Sequence, residues 1–156
     1  MFIGREEELN FLEDRYNSAD GQLIVLYGRR RVGKTELLRQ FCQDKEHIFY
    51  TCTEIIDEKQ LEAFSQRLLE KNHQAAKYIT RFSDWEQALL SISELAKEKK
   101  IVVVIDEFPY MVKGNNAIPS ILQKLWDEVL KQSNVMLILC GSAMSFIEKE
   151  VLAEKK

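Results

Sequence analysis

Eight residues near the start of the chain have the types and spacing needed to bind a phosphate group. Residues 28–35 read Gly-Arg-Arg-Arg-Val-Gly-Lys-Thr, which fits G-x-x-x-x-G-K-[ST], and they follow the apolar run 23–27 directly. The two glycines let backbone N–H groups curl around a phosphate, the lysine reaches its outer oxygens, and the last hydroxyl holds Mg²⁺. A helix that begins at the lysine adds its positive end. The pattern therefore predicts a strand, a phosphate-binding loop and a helix, in that order.

Nine residues of this loop and of the helix start that follows it are candidates for nucleotide binding. They are Gly28, Arg29, Arg30, Arg31, Val32, Gly33, Lys34, Thr35 and Glu36. One of the three arginines could touch phosphate, a partner or nucleic acid. The alternative, which we favour, leaves them solvated at the tip of the loop, because the backbone already cradles the phosphate.

Two adjacent acids follow a second apolar run. Residues 101–105 are mostly β-branched and lead into Asp106 and Glu107, which is typical of a buried strand with carboxylates at its carboxyl end. In a parallel sheet this end lies beside the phosphate loop. Asp106 would then hold Mg²⁺, and Glu107 would orient or deprotonate the attacking water. Alternatively, the two acids simply begin a loop, as acidic residues often do.

A third apolar run, residues 135–140, ends near Ser142. If this strand lies between the other two, the Ser142 hydroxyl would sense the γ-phosphate or help to position the water, which makes it a catalytic candidate. Serine is also a favoured N-cap residue, and a helix is predicted from residue 143. The two roles are compatible, so both remain open.

Four stretches of the sequence together resemble a known family. They are residues 2–9 (FIGREEEL), the loop 28–35, Asp106-Glu107-Phe108 and Cys140-Gly141-Ser142. The chain is similar over essentially its whole length to additional-strand P-loop ATPases of the AAA+/STAND type, and most of all to the archaeal-type ATPase family. The resemblance implies ATP and Mg²⁺ as cofactors and places Gly4 and Arg5 near the adenine. It also gives Lys34 and Glu107 catalytic roles and assigns the metal to Thr35 and Asp106.

The alternation of apolar runs and amphipathic segments predicts an α/β protein of three layers with a mostly parallel central sheet. We predict helices over 5–17, 34–44, 58–72, 84–99, 119–132 and 143–155, and strands over 22–27, 47–52, 101–106 and 135–140. A capping box at residues 83–86 and a first-turn Pro119 mark two helix starts. Residues 113–116 are expected to form a flexible loop. The resemblance implies that the phosphate-loop strand is followed in the sheet by the Cys140, Asp106 and Phe49-Tyr50 strands.

The same resemblance implies that residues 1–156 are an ATPase core truncated at its C-terminus. Such folds normally carry a fifth strand beyond the phosphate-loop strand, followed by a helical lid, and neither is recognised in this sequence. The apolar strand 23–27 would then be an exposed edge, so we expect self-association into a homo-oligomer. Without a lid or an arginine from a neighbour, hydrolysis by this chain alone is expected to be very slow.

Composition bounds the partners and the compartment. With 156 residues, the chain has the length of a single domain. Its formal net charge of −3 gives it no overall electrostatic attraction to nucleic acid or to an anionic membrane. Any DNA link is expected only through regions absent from this chain. The three cysteines lack metal-ligand spacing and read as buried, reduced thiols, and no apolar run approaches 18 residues. A cytoplasmic protein without membrane contact is therefore expected.

Two functions fit these features. The first is Mg²⁺-dependent ATP hydrolysis coupled to conformational change in a larger protein, and the second is a nucleotide-binding switch with little turnover. Glu107 favours hydrolysis, because a pure binding site does not need a carboxylate that orients water. A GTPase is disfavoured because the sequence has no N-K-x-D motif, and a small-molecule kinase because no arginine-rich acceptor lid is visible.

Overall fold

The computed structural model describes residues 5–27, 33–71 and 73–141. The helices are α1 (Arg5–Tyr16), α2 (Lys34–Cys42), α3 (Asp57–Lys71), α4 (His73–Ala76), α5 (Trp85–Leu95), α6 (Phe108–Gly114) and α7 (Ile118–Glu128), with a short 3₁₀ turn at Leu130–Gln132. The strands are β1 (Gln22–Tyr27), β2 (His47–Thr51), β3 (Ile101–Asp106) and β4 (Val135–Gly141). The predicted helix over 143–155 lies outside the described residues.

The four strands form one parallel sheet in the order β1-β4-β3-β2. This is the order implied by the family resemblance, and it is confirmed. Every residue of β3 and β4 is buried, which explains their continuous apolar sequences. Among the described residues, β1 and β2 are the two edges of the sheet.

Two apolar cores cover the two faces of the sheet. One contains Leu12 of α1 with Leu38 and Phe41 of α2, and the other contains side chains of α3, α5, α6 and α7. The three-layer α/β prediction is therefore confirmed. Four aromatic side chains, each of which could in principle stack on a nucleic-acid base, are packed in these cores; they are Phe49, Tyr50, Trp85 and Trp126.

The helix that follows the two acids differs from the sequence-based expectation. Residues 108–114 form α6, a helix that was not predicted and that includes the first two residues of the expected loop 113–116. Phe108, Met111 and Val112 share its buried face. A run this short carries too few apolar positions for its helical period to be recognised. The helix ends at Gly114, so only Asn115 and Asn116 of the expected loop 113–116 lie beyond it.

Helix boundaries also differ from the predicted ones, most of all at the ends of two helices. The expected helix 84–99 ends at Leu95, and the expected helix 119–132 ends at Glu128 and continues only as a 3₁₀ turn. The capping box is shifted by one residue, because the Asp84 carboxylate, rather than Ser83, accepts the Gln87 N–H. Pro119 lies in the first turn of α7, as predicted.

The three cysteines are free and buried, as expected. In the ranges 5–27, 33–71 and 73–141, no helix combines the length and the apolar character needed to span a membrane.

Candidate functional site

The carboxyl ends of the strands meet at one edge of the sheet. Asp106 at the end of β3 is in register with Thr51 at the end of β2, and Ile105 pairs with Leu139 of β4. Because each crossover helix runs back antiparallel to the strands, α2 begins at this same edge. Side chains from distant parts of the sequence are thereby gathered in one place.

One side-chain contact joins the two motifs found in the sequence. The Thr35 hydroxyl donates a hydrogen bond of 2.9 Å to Oδ2 of Asp106, across 71 positions of the chain. Asp106 is only 4% exposed, whereas Thr35 at the start of α2 is exposed. A hydroxyl and a carboxylate are the hard oxygen ligands that Mg²⁺ prefers. The two residues therefore fit a magnesium ion that would insert between them.

The other oxygen of Asp106 is held by the chain itself. The backbone N–H of Glu107 donates to Oδ1 of Asp106 at 3.0 Å. Glu107 adopts φ 55° and ψ 40° as the N-cap of α6, and it is the one non-glycine residue with positive φ in the part of the chain that the structure describes. This left-handed conformation costs about 1–2 kcal/mol for an ordinary residue. Such strain is commonly found at functional sites.

The start of α2 also requires a special backbone conformation. Gly33 has φ 81°, and its carbonyl accepts the Leu37 N–H at 2.9 Å. A glycine adopts this geometry without steric cost. The next three residues, Lys34, Thr35 and Glu36, form the first turn of the helix, so the lysine and the threonine hydroxyl are placed at its positive end.

Two buried thiols flank Asp106, and sequence reasoning did not assign them to this site. Burial, followed by the negative charge of Asp106, raises the pKa of the Cys140 thiol, while Lys34 opposes the rise. Burial is also the main cause of the raised pKa of Cys52. Both thiols therefore stay neutral, and they contribute packing rather than charge. Their positions in the sequence could have indicated this placement, since each thiol lies at the carboxyl end of a strand that neighbours β3.

The structure brings together Lys34, Thr35, Asp106 and Glu107, with Gly33 and Glu36 beside them. Gly4, Gly28, Arg29, Arg30, Arg31, Val32 and Ser142 lie outside the described residues. Arg5 is the first residue of α1, and only its backbone is described. The roles of these residues stay predictions.

Comparison with known proteins agrees with the geometry. Residues 2–156 match a family described as an ATPase domain predominantly from Archaea. An uncharacterized protein of Methanocaldococcus jannaschii is 35% identical over 155 residues, which cover 99% of this chain and 33% of that protein. The chain thus spans about a third of the length of this relative.

Solved structures share the fold. A Walker-type ATPase of Pyrococcus abyssi superposes with a TM-score of 0.65 at 24% identity, covering 96% of this chain and 48% of that one. Drosophila ORC bound to DNA gives a TM-score of 0.56 at 16% identity, covering 93% and 39%. The family match and the P-loop ATPase fold support ATP binding and hydrolysis in general. The chain belongs to the family of ATPase domains found predominantly in Archaea.

Proposed function

We propose that this chain binds ATP together with Mg²⁺ and hydrolyses it to ADP and phosphate, as the ATPase core of a larger protein. The observation that carries the proposal is the 2.9 Å hydrogen bond between Thr35 and the buried Asp106. It brings the hydroxyl of the phosphate-loop motif and the carboxylate at the end of β3 to one point. Glu107 follows directly, at the position where a water-orienting carboxylate is needed.

Each residue of the site has a separate task. Lys34 places its positive charge on the outer phosphate oxygens, while Thr35 and Asp106 hold the metal. When bound, Mg²⁺ neutralises charge on the β- and γ-phosphates. Glu107 orients a water molecule and accepts the proton that the water loses. The water oxygen bonds to the γ-phosphorus as the bond to the bridging oxygen breaks, and ADP leaves with that electron pair.

We further propose that hydrolysis changes the conformation of regions beyond this core. Support comes from the position of Glu107, which is at once the proposed water-orienting residue and the strained first cap of α6. A change in what its side chain contacts would therefore act on the start of a helix. The relative of three times this length offers the additional regions that such a change could move.

Two further proposals concern the partners of the protein. A homo-oligomer formed through β1 draws support from its place at an edge of the described sheet. A DNA link for the whole protein draws support only from the fold shared with DNA-bound ORC.

The nucleotide site is tested by calorimetric titration of Mg²⁺ and ATP into the 156-residue protein. Binding is expected for the wild type and should be lost in Lys34→Ala. Lys59→Ala is the matched control, because that lysine lies on α3 with 66% of its side chain exposed and pairs only loosely with Glu62. Binding that survives Lys34→Ala would contradict the proposal, as would a wild type that binds no nucleotide.

Hydrolysis is tested separately from binding. Glu107→Gln preserves the shape of the side chain but cannot accept a proton, so it should bind ATP normally and release phosphate at least about 100-fold more slowly. The measurement is single-turnover phosphate release in the longer protein that carries this core. Unchanged turnover would favour the nucleotide-binding switch over the hydrolase.

A further inference from the structure

We propose that Gln60, on α3, is a positioning residue for the metal site. Its side-chain amide holds the segment after β2 against the backbone of Asp106 and so fixes the carboxylate that faces Thr35. The inference rests on the proposed function, because its effect is expected on Mg²⁺-dependent nucleotide binding.

Gln60 is one of the few polar side chains in the described core. It is 1% exposed, and its amide uses both of its ends. Oε1 accepts the Tyr50 hydroxyl and, at 3.4 Å, the Thr53 N–H, while Nε2 donates to the Thr53 carbonyl at 2.8 Å. Burying an amide costs free energy unless such partners are supplied. These bonds therefore tie α3 to the strand end rather than to solvent.

The two bonds to Thr53 act as a substitute for a neighbouring strand. β2 ends at Thr51, yet the backbone of Thr53 still finds a donor and an acceptor on one side chain. A strand end without partners would fray, and its amide hydrogens would then exchange readily with water. The Gln60 amide thus holds the backbone two residues beyond the end of β2, where the Thr53 carbonyl also accepts the Ile55 N–H at 3.0 Å.

That extension reaches the metal site through one backbone bond. The Cys52 N–H, one residue before Thr53, donates to the Asp106 carbonyl at 2.8 Å. This is the last rung between the second and third strands, since Thr51 is in register with Asp106. Asp106 thus has its carbonyl held by Cys52 and its carboxylate held by Thr35 and the Glu107 N–H. Loss of the Gln60 clamp would free the first of these supports.

The helix that carries Gln60 is itself anchored to the far end of α6. The Asp57 carboxylate at the start of α3 accepts the Trp85 Nε1–H at 2.8 Å and the Asn115 Nδ2–H at 3.3 Å. Asn115 follows α6, which begins after Glu107. Asp106 is therefore linked through α6 to α3, and α3 is linked back to Asp106 through Gln60 and the segment after β2. A rigid support of this kind is what a metal ligand requires of its surroundings.

The test compares Gln60→Leu with Gln66→Leu, which makes the same change at an exposed position of the same helix. ATP is titrated calorimetrically over a series of Mg²⁺ concentrations. Gln60→Leu should raise the Mg²⁺ concentration for half-maximal effect by about 10-fold, the lower end of what loss of a ligand's supporting partner costs. ATP binding in EDTA should not change. A merely structural role would instead alter both measurements or neither.

Hydrogen exchange supplies a readout without nucleotide. The Cys52 amide should exchange faster in Gln60→Leu than in the wild type or in Gln66→Leu. If Gln60→Leu fails to fold, Gln60→Glu replaces it, because the carboxylate keeps the length and the acceptor but, when ionised, cannot donate to the Thr53 carbonyl.

The outcomes separate the two proposals. A wild type that binds no ATP would overturn the proposed function, and the role of Gln60 with it. Normal wild-type binding with the same Mg²⁺ dependence in the Gln60 variant and the Gln66 control would overturn the role of Gln60 alone.

Discussion

The two ends of the parallel sheet use the ends of helices in opposite ways. At the carboxyl end, α2 begins, and its positive end faces Thr35 and the buried Asp106. At the amino end, α1 and α2 finish, and their last carbonyls, which lack partners within the helix, attract cations. Both arrangements follow from the topology, because α2 is a crossover helix that runs antiparallel to the strands and α1 ends shortly before β1 begins. The two ends differ in which groups interact with the partial charges of the helix ends.

At the amino end, two lysines are satisfied by the chain itself. Lys45 donates to the Phe41 carbonyl at 2.9 Å and pairs with Glu13 at 2.7 Å, while its side chain is only 5% exposed. Lys100 donates to the carbonyls of Tyr16 and, at 2.7 Å, of Ser18, and burial lowers its pKa. The two ammonium groups lie within 5.2 Å and 5.1 Å of the Tyr16 ring centroid. They clamp α1 onto the body of the protein.

At the carboxyl end, two features instead lower the stability of the folded protein. Asp106 is a buried carboxylate, and Glu107 holds a left-handed backbone conformation. Neither feature is expected at a position chosen only for folding. The comparison shows that side chains of the protein itself stabilise the amino end, whereas the carboxyl end keeps two features that cost stability, as expected if the proposed nucleotide site lies there. Substitutions at the two ends should therefore separate stability from nucleotide binding.

The largest effect is expected for Asp106→Asn. The amide keeps one oxygen acceptor but loses the second, together with the charge that attracts the metal, so Mg²⁺-dependent ATP binding should weaken by at least about 100-fold. Because removal of the buried charge offsets the loss of one hydrogen bond, the free energy of unfolding should change by no more than about 1 kcal/mol. Calorimetry and urea denaturation measure the two quantities. A variant that is strongly destabilised would contradict the proposed division between the ends.

Lys45→Met should show the reverse behaviour. The methionine fills the apolar space, but the Phe41 carbonyl and Glu13 lose their partner, so the free energy of unfolding should fall by about 2 kcal/mol. ATP binding should be unchanged. Lys59→Met, at an exposed position of α3, is the matched control and should be nearly neutral. A loss of ATP affinity in Lys45→Met would show that the two ends are coupled.

The contribution of Lys45 should also depend on pH. Burial alone would lower its pKa, but hydrogen bonds to Glu13 and Asp44 outweigh burial, and the pKa is raised above 10.5. A raised pKa means that the folded state binds the proton more tightly, so the contribution is complete below pH 10.5 and declines above the raised pKa. The stability difference between wild type and Lys45→Met should therefore shrink in alkaline urea titrations. A difference that grows with pH would contradict this assignment.

Glu107→Gly tests the strain at the carboxyl end. Glycine adopts the left-handed conformation without cost, so the variant should gain about 1 kcal/mol in unfolding free energy while phosphate release falls to background. Glu36→Gly, in the first turn of α2, is a useful contrast because there glycine should only destabilise. If Glu107→Gly is the less stable protein, its side chain contributes more to folding than the backbone strain costs.

The smallest effect is expected for Asp84→Ala. This residue caps α5, and its carboxylate accepts the Gln87 N–H at 2.8 Å. Its loss should lower the unfolding free energy by about 1 kcal/mol. Since Asp84 is not one of the proposed site residues, ATP binding should not change. An altered affinity would mean that helix starts at the carboxyl end of the sheet act on the site collectively.

Much of the candidate site could be predicted from the sequence, because it is written in local motifs. The phosphate-loop spacing identified Lys34 and Thr35, and the apolar run before Asp106 identified the strand that carries it. The order of the four strands followed from the family resemblance. In contrast, α6 was missed, since seven residues offer too little helical periodicity. The capping residue of α5 was misplaced by one position, a typical uncertainty at helix ends.

The sequence by itself determined the strands, most helices and the residue types of the site, because periodicity and motif spacing are properties of neighbouring residues. Only the tertiary structure decided that Thr35 lies 2.9 Å from Asp106, that Glu107 is strained, and that Gln60 clamps Thr53. These contacts join residues that are distant in sequence, or depend on how α6 leaves the sheet. No local pattern encodes them, since they arise when the packed cores fix the helices against the strands.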